Sequence, residues 1–288
     1  MILFFLILLV VLSILLLFYR AYKNTHRVAL NKVYLSQIDS EQSQRPHLNI
    51  LQISDMHLER ISISPEQLYK KLAGEKIDLI ALTGDYLDKK RSIPKLIPYL
   101  NVFNRLNPRY GVFAVFGNHD YKLKQTDFEV LRNTLELHGC KTLQNENETI
   151  IVEGNPVHII GIDDLHTKRS NLPSSYSGLR DGYHLVLTHD PNIVLSMKEW
   201  HFDYLLSGHF HGGQIYWPKP YHLAKLGRTM MQMNMIKGLH FHEGKPFYIS
   251  EGLGQTSINI RLGSRPEITL HQLSLIKKIQ EKEVQEAV

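Results

Sequence analysis

Apolar runs, each followed at once by a polar block, recur along the middle of this chain. Five of these blocks contain metal-binding types of side chain. In chain order they are Asp55-Met56-His57, Gly84-Asp85, Gly117-Asn118-His119-Asp120, Thr188-His189-Asp190 and Gly208-His209-Phe210-His211. The apolar runs before them span 48–54, 77–83, 112–116, 183–187 and 204–207 and have strand character. Because a rigid sheet holds the short loops at its strand ends, this pattern is typical of a site that does chemistry.

Helical stretches separate several of these runs. A Ser-Pro start predicts a helix over Pro65–Ala73, and a second is predicted over Asp127–His138, ended by Gly139. Further strands are predicted at Thr149–Val152, Val157–Ile162 and Pro246–Ser250. The alternation favours an α/β fold, richer in strands toward its second half.

The first 18 residues are apolar apart from Ser13, which is about the minimum for a membrane-spanning helix. A secretory signal would have a basic segment before the run and small residues after it, and neither is present. Lys and Arg follow the run instead. We therefore predict a single-pass anchor at residues 1–19, with the catalytic domain on the cytoplasmic side of the cell membrane. The alternative is an uncleaved export signal.

The remaining chain divides by composition. Residues 20–47 are mostly polar and are predicted to link the anchor to a domain over residues 48–273. Residues 274–288 carry charges on most faces and are predicted to form a peripheral tail.

Charge and cysteine content narrow the function classes. The chain of 288 residues has a net charge of +5, without an Arg-rich or Lys-rich block of the kind that binds nucleic acid. Cys140 is the single cysteine, which excludes an internal disulfide. Neither property indicates the oligomeric state.

Carboxylate, imidazole and amide oxygen are the ligands that hard and borderline divalent cations prefer. Asp55 and His57 stand two residues apart, so on an extended strand end both point to one side. His209 and His211 repeat that spacing behind Gly208, which allows the backbone to come close to the ions.

The other blocks complete a socket for two ions. Asp85 stands where a carboxylate can bridge both, Asn118 offers an amide oxygen, and His189 completes the second ion. His119 is free to act on substrate, with Asp120 or another acid orienting its ring. Two ions about 3.5–4 Å apart would lower the pKa of a bridging water, while an imidazole stabilises the transition state or protonates the leaving oxygen. Each block alone is also typical of a turn or a surface strand, but five in order indicate the metal site.

This set of residues resembles the calcineurin-like metallophosphoesterase superfamily over residues 48–273. The resemblance implies a four-layer sandwich of two mixed β-sheets flanked by helices, with the metals at the C-terminal strand ends. It implies a first metal held by Asp55, His57, Asp85 and His211. It implies a second metal held by Asp85, Asn118, His189 and His209. The predicted catalytic residues are His119 and Asp85. Mn, Fe, Zn, Mg and Ni share these ligand types.

Other segments resemble a membrane-associated bacterial subgroup similar to UDP-diacylglucosamine pyrophosphatases. They are 208–215, 250–254, 261–263 and 266–268. Residues 84–88 also resemble the protein serine/threonine phosphatases. Lys89-Lys90 and Asp120 stand where that class has Arg-Gly and Glu, which counts against it.

We therefore predict a dimetal enzyme that hydrolyses a phosphodiester or pyrophosphate bond in a lipid-linked or nucleotide-linked substrate at the membrane. Arg261 and Arg265 are candidates to hold a substrate phosphate, or they are turn residues. The methionines of segment 230–235 form a lip that meets lipid, or pack on their own domain. The alternative functions are a broad-specificity phosphodiesterase or nuclease, and a non-catalytic metal-binding membrane scaffold.

Overall fold

Two mixed β-sheets packed face to face make up the centre of the molecule in the residues that the structure describes. The structure is a computed structural model that describes residues 1–35, 46–216, 219–220 and 223–275. The strands are β1 (Ala29–Leu35), β2 (His47–Ile53), β3 (Leu79–Thr83), β4 (Val112–Val115), β5 (Cys140–Thr142), β6 (Glu146–Val152), β7 (Asn155–Gly161), β8 (Tyr183–Leu187), β9 (Tyr204–Ser207), β10 (Gly238–His242), β11 (Lys245–Ile249) and β12 (Glu267–Ser274). The helices are α1 (Ile2–Thr25), α2 (Pro65–Leu72), α3 (Ile93–Arg105), α4 (Gln125–Leu137), α5 (Leu172–Ser175), α6 (Leu223–Leu226) and α7 (Arg228–Gln232).

Both sheets have a parallel centre and an antiparallel pairing toward an edge. In the first, the order is β1-β12-β2-β3-β4-β5, with β2 to β5 parallel and β12 antiparallel to β2. In the second, the order is β10-β11-β9-β8-β7-β6, with β11, β9, β8 and β7 parallel. The expected architecture of two mixed sheets flanked by helices is confirmed.

Alternation along the strands separates the core layers. In β2, Leu48 and Ile50 pack between the two sheets, whereas Leu51 and Ile53 pack against the layer of α2, α3 and α4. Successive strand residues point to opposite faces, so a strand buried on both faces reads as a continuous apolar run. A third buried cluster lies on the outer face of the second sheet. The predicted helices lie where expected, and α2 begins with a capping box between Ser64 and Gln67.

The segment predicted as a linker contains secondary structure. Helix α1 continues to Thr25, and β1 pairs in parallel with β12, from Ala29 opposite Glu267 to Leu35 opposite Leu273. Leu30 packs on the helix-side core and Val33 on the core between the sheets. The prediction of a linker is therefore wrong for residues 29–35, because polar residues on the exposed side of an edge strand mask its apolar positions. Residues 36–45 and the tail at 276–288 lie outside the described residues.

Helix α1 has the length and composition to cross a membrane, and its apolar stretch lies away from the domain. Its last turns contact the domain at Arg261, and Ala21 and Thr25 are buried there.

Candidate metal centre

The loops that follow β2, β3, β4, β8 and β9 converge at one edge of the two sheets. These loops hold the seven predicted ligands, all of them buried: Asp55, His57, Asp85, Asn118, His189, His209 and His211. Asp55, His57 and His211 have donor atoms within 4.8 Å of one another. Asp85, His189 and His209 form a second group by the same measure. The structure therefore brings six of the seven together in two groups, and Asn118 follows Gly117, which lies against the Asp85 carboxylate.

Five of the seven ligands have a left-handed backbone. Their φ angles are 49° at Asp55, 38° at His57, 57° at Asp85, 72° at His209 and 50° at His211. Non-glycine residues rarely adopt this conformation, which costs on the order of 1–3 kcal/mol each unless the surroundings enforce it. Here the loops hold each other, since the Asp55 N–H donates to Gly84 O and the His57 N–H donates to Asp85 O. Such strain concentrates at functional sites.

Two glycines make this close approach possible. A Cβ on Gly117 would collide with the Asp85 carboxylate, and a Cβ on Gly208 would collide with Ser54 Oγ and Asp55 Oδ2. Side chains at either position would push the ligand carboxylates out of place.

In the first group, ring nitrogens and carboxylate oxygens face a common space. His57 Nε2 lies 3.2 Å from His211 Nε2, and His211 Nε2 lies 3.3 Å from Asp55 Oδ1. Burial lowers the pKa of His211 well below its usual range, and the nearby His57 lowers it further. A neutral ring has a free lone pair, which is what a metal ligand requires.

Asp85 joins the two groups. Its Oδ2 lies 3.5 Å from His57 Nε2 and 3.2 Å from His189 Nε2. Burial alone would raise the pKa of Asp85, but the interaction with His189 holds it well below the usual range, so the carboxylate is ionised. One anionic side chain therefore faces ligands of both groups.

One buried atom supports the fit of a cation to this centre. Asn118 Oδ1 is buried and has no hydrogen-bond partner among the described residues. A buried acceptor without a partner costs about 1–3 kcal/mol, and an amide oxygen suits a divalent ion. His209 turns its Nδ1 toward the second group, 3.2 Å from His189 Nε2.

Hydrogen bonds at the far side of two rings orient them for ligation. His189 Nδ1 lies 2.8 Å from Thr83 O, and His57 Nδ1 lies 3.2 Å from Asp88 Oδ1. Because a carbonyl and an ionised carboxylate only accept, Nδ1 is the donor in both rings, and Nε2 is the nitrogen turned toward the centre.

His119 is oriented by Asp88 and not by Asp120. Asp88 Oδ1 lies 2.5 Å from His119 Nδ1. Asp120 instead accepts the backbone N–H groups of Asp85, Tyr86 and Gly117, and it is fully buried beneath the loops. Of the two options stated, Asp120 or another acid, the structure shows the second, because the Asp120 carboxylate ties the loops after β3 and β4 together. Asp88 was missed, although it follows Asp85 by three residues in the block at 84–88.

Comparison with known proteins agrees with this geometry. The family model for calcineurin-like phosphoesterases matches residues 48–213. The chain belongs to that family. It is 61% identical over 255 residues to the uncharacterised metallophosphoesterase YkoQ of Bacillus subtilis, which covers 88% of this chain and 94% of that protein. It is 28% identical over 228 residues to phosphodiesterase YaeI of Escherichia coli, which covers 78% of this chain and 81% of that protein.

In this calcineurin-like chain, Arg261 is a structural residue. It is fully buried, and its guanidinium donates to the backbone carbonyls of His211, Glu251, Gly252 and Gly254 at 2.6–3.2 Å. The candidate role in phosphate binding is wrong for Arg261, because its donors are used in fixing the loops at 211 and 251–254. Arg265 is exposed, and its phosphate role stays a prediction.

The methionine segment packs on its own domain. Met230 is fully buried in the cluster on the outer face of the second sheet, which also contains Phe210. Met233 is 42% exposed. Met230 therefore packs on its own domain, as the alternative for this segment states, and Met231 and Met235 pack partly against the same cluster. Contact of the exposed Met233 with lipid stays a prediction.

The structure also adds His166 to the surroundings of the second group. Its donor atom lies within 4.8 Å of those of Asp190 and His209, and its side chain is exposed. His166 lies between β7 and α5 in the chain, and no sequence motif there predicts a role for it. Contact with the ligand His209 appears only in the folded protein.

Proposed function

We propose that this protein is a dimetal hydrolase that cleaves a phosphodiester or pyrophosphate bond at a membrane surface. The observation that carries the proposal is the position of Asp85 Oδ2, which faces His57 and His189 from the two ligand groups. One ionised carboxylate between two groups of imidazole, carboxylate and amide donors is the arrangement that a pair of divalent cations requires.

The resemblance divides the seven proposed ligands between two ions. Asp55, His57, Asp85 and His211 would hold one ion, and Asp85, Asn118, His189 and His209 would hold the other. Bound divalent ions supply Lewis-acid activation of water and neutralise charge on phosphoryl oxygens. The proximity of donors in each group supports this division.

His119 is proposed to act on the substrate. Its side chain is 18% exposed, unlike the fully covered ring of His57 beside it. Asp88 lies at Nδ1 of His119, so Nε2 is the nitrogen proposed to meet a substrate oxygen. Nε2 also lies 2.9 Å from Nζ of Lys122, whose exposed side chain a substrate would displace or contact. An imidazole fixed in this way can donate a proton to a leaving oxygen or stabilise charge on the phosphoryl group.

The proposed substrate class follows from α1. A helix able to span a membrane places the centre near the lipid surface, which favours a lipid-linked or nucleotide-linked phosphodiester or pyrophosphate. The name of the relative YaeI as a phosphodiesterase supports the bond type. The positive residues after the apolar run favour a cytoplasmic domain.

The test uses the full chain in neutral detergent, loaded with Mn²⁺, on chromogenic phosphate monoester and diester substrates, with bound metal counted in each sample. His211→Ala is compared with His201→Ala, a matched loss of an exposed histidine. We expect metal-dependent diester hydrolysis that His211→Ala lowers by more than about 100-fold, since even residues behind the ligands contribute about 10–100-fold. His201→Ala should hydrolyse the diester at the rate of the parent chain.

Two outcomes separate the alternatives. Hydrolysis of many unrelated diesters and of single-stranded nucleic acid, without preference for lipid-linked or nucleotide-linked pyrophosphates, would favour the broad-specificity enzyme. Two bound ions with no hydrolysis of any of these substrates would favour the scaffold and contradict the proposal.

A further inference from the structure

A cavity of about 580 Å³ lies between the C-terminal end of α1 and the catalytic domain. Arg20 and Asn24 line it from the helix, Arg27 from the segment before β1, and Lys237, Glu251 and Arg265 from the domain. No predicted metal ligand lines it. It is therefore a second candidate binding site, separate from the metal centre.

The lining carries a strong excess of positive charge. Four of its side chains are cationic and one, Glu251, is acidic. Lys237 forms an ion pair with Glu251, since its Nζ lies 3.1 Å from Glu251 Oε2. The same Nζ donates to Gly263 O at 3.0 Å. In the described part of the chain, Arg20, Arg27 and Arg265 make no ion pair. Among the described residues, Arg20, Arg27 and Arg265 thus line one cavity without an ion-pair partner, and its one acidic side chain, Glu251, is paired with Lys237. Guanidinium geometry matches phosphate oxygens.

An apolar recess of about 220 Å³ adjoins the cationic cavity. It is lined by Leu17, Tyr216, Leu262 and Gly263, and all but Tyr216 also line the larger cavity. Leu17 belongs to the last part of the apolar run, three residues before Arg20. Cationic and apolar surfaces therefore meet at the level where a membrane-embedded helix would enter the headgroup region.

The end of α1 is fixed to the domain, so the cavity is formed in advance. The Arg261 N–H donates to Ala21 O at 2.9 Å, and Asn24 Nδ2 donates to Arg261 O at 3.0 Å. Ala21 and Thr25 are buried in this contact. A preformed site loses less conformational entropy on binding than a flexible one.

We propose that this cavity binds the phosphate headgroup of an anionic membrane phospholipid, with the start of an acyl chain in the recess beside Leu17. The proposal rests on the membrane anchoring in the proposed function. The recognised chemistry is a phosphate-bearing anion, and the apolar recess beside the arginines favours a lipid over a soluble phosphate. Bound lipid would hold the domain at a set distance from the bilayer.

The test measures binding to the full chain in neutral detergent by calorimetry. Its probes are short-chain phosphatidylglycerol, phosphatidylcholine with the same chains, and glycerol 3-phosphate. The variant is Arg20→Gln with Arg27→Gln, and the matched control is Lys23→Gln, which removes an exposed charge from the same helix turn but does not line the cavity. We expect tight binding of phosphatidylglycerol alone, weakened about 25-fold in the double variant, or about fivefold per arginine. Lys23→Gln should bind nearly as the parent chain.

Three results would overturn the proposal. Equal binding of phosphatidylcholine would show that charge does not select the ligand, and an equal loss in Lys23→Gln would show only diffuse attraction. Glycerol 3-phosphate bound as tightly as the lipid would show a soluble ligand. Diester hydrolysis and the Tm are measured on the same samples. A double variant that loses lipid binding but keeps its diester hydrolysis and its Tm would show that this site is separate from the metal centre. If the parent chain binds lipid but hydrolyses no diester, the proposed function fails and the lipid site does not.

Discussion

The Asp88 carboxylate lies 2.5 Å from Nδ1 of His119. The same oxygen lies 3.2 Å from Nδ1 of His57, so one carboxylate orients a predicted ligand and the ring proposed to act on substrate. Burial alone would raise the pKa of Asp88, but the hydrogen bonds from His119 and His57 hold it well below its usual range. Asp88 is therefore ionised and can stabilise positive charge on the His119 ring.

Replacing Asp88 with Asn should slow hydrolysis by about 10–100-fold, mainly through kcat, because a carboxylate that orients such rings contributes by that factor. An amide cannot stabilise an imidazolium, so the pH dependence of kcat should also change. The measurement is steady-state diester hydrolysis across pH with the bound metal counted.

The control for Asp88→Asn is Asp181→Asn, an exposed aspartate on the loop before β8. It should match the parent chain in rate and pH profile. If Asp88→Asn keeps the pH profile of the parent chain, and its rate falls only in proportion to the metal it loses, Asp88 has a structural role alone.

Asn118 should determine how many ions the centre holds. Its Oδ1 is buried without a hydrogen-bond partner among the described residues, and it is predicted to be a ligand of the second ion. Asn118→Ala should lower the bound metal from two ions toward one and lower hydrolysis with it. Elemental analysis after dialysis measures this. Asn101→Ala, on the exposed side of α3, is the control, and two full equivalents of metal in Asn118→Ala would contradict the assignment.

Arg261 should matter for stability and not for substrate affinity. Its guanidinium donates to four backbone carbonyls, and a lysine in its place reaches fewer of them. Leaving buried carbonyls without donors costs about 1–3 kcal/mol each, so Arg261→Lys should lower the Tm by several degrees. The KM of molecules that stay folded should hardly change. Arg91→Lys, at an exposed position, serves as the control, and a raised KM at an unchanged Tm would restore Arg261 as a phosphate ligand.

The ligands of the metal centre were predictable because their chemistry is distinctive and each follows a strand buried on both faces. Asp55 and Asp85 stand directly after such strands, and parallel strands bring their carboxyl ends to one edge. The helices were predictable for similar reasons of local pattern, as the capping box at Ser64 shows.

The residues that were mispredicted depend on contacts between distant parts of the chain. Asp120 and Asp88 stand in similar loops, and only the folded backbone decides which of them reaches His119. Arg261 is buried because four carbonyls from two loops meet around it. Strand β1 was missed because it is a half-exposed edge strand whose apolar residues are divided between two cores. Leu30 packs on one core and Val33 on the other, which weakens the apolar-polar alternation that marks a strand.

Glu267 gives the domain a pH dependence of its own, away from the metal ligands. It lies at the start of β12, almost fully buried, where Asn31 Nδ2 of β1 donates to its Oε2 and the Glu251 N–H donates to its Oε1. Burial raises the pKa of Glu267 to about 7, and the nearby Glu251 adds to this. The folded protein thus keeps a proton on Glu267 where the unfolded chain has lost it.

Stability from this proton is fully present below the unfolded pKa, near 4.5, and is lost as the pH rises through about 7. The difference corresponds to about 3 kcal/mol at most. Glu267→Gln keeps a neutral amide in place, and Asn31 can turn its own amide to offer an oxygen. We therefore expect the Tm of Glu267→Gln to exceed that of the parent chain at pH 8 and to match it near pH 5.

Thermal unfolding of the full chain in detergent, followed by near-ultraviolet circular dichroism, measures the Tm at both pH values. The control is Glu199→Gln, at an exposed position. A gain at pH 5 that disappears at pH 8 would reverse the sign and show that Glu267 is stabilised as the carboxylate.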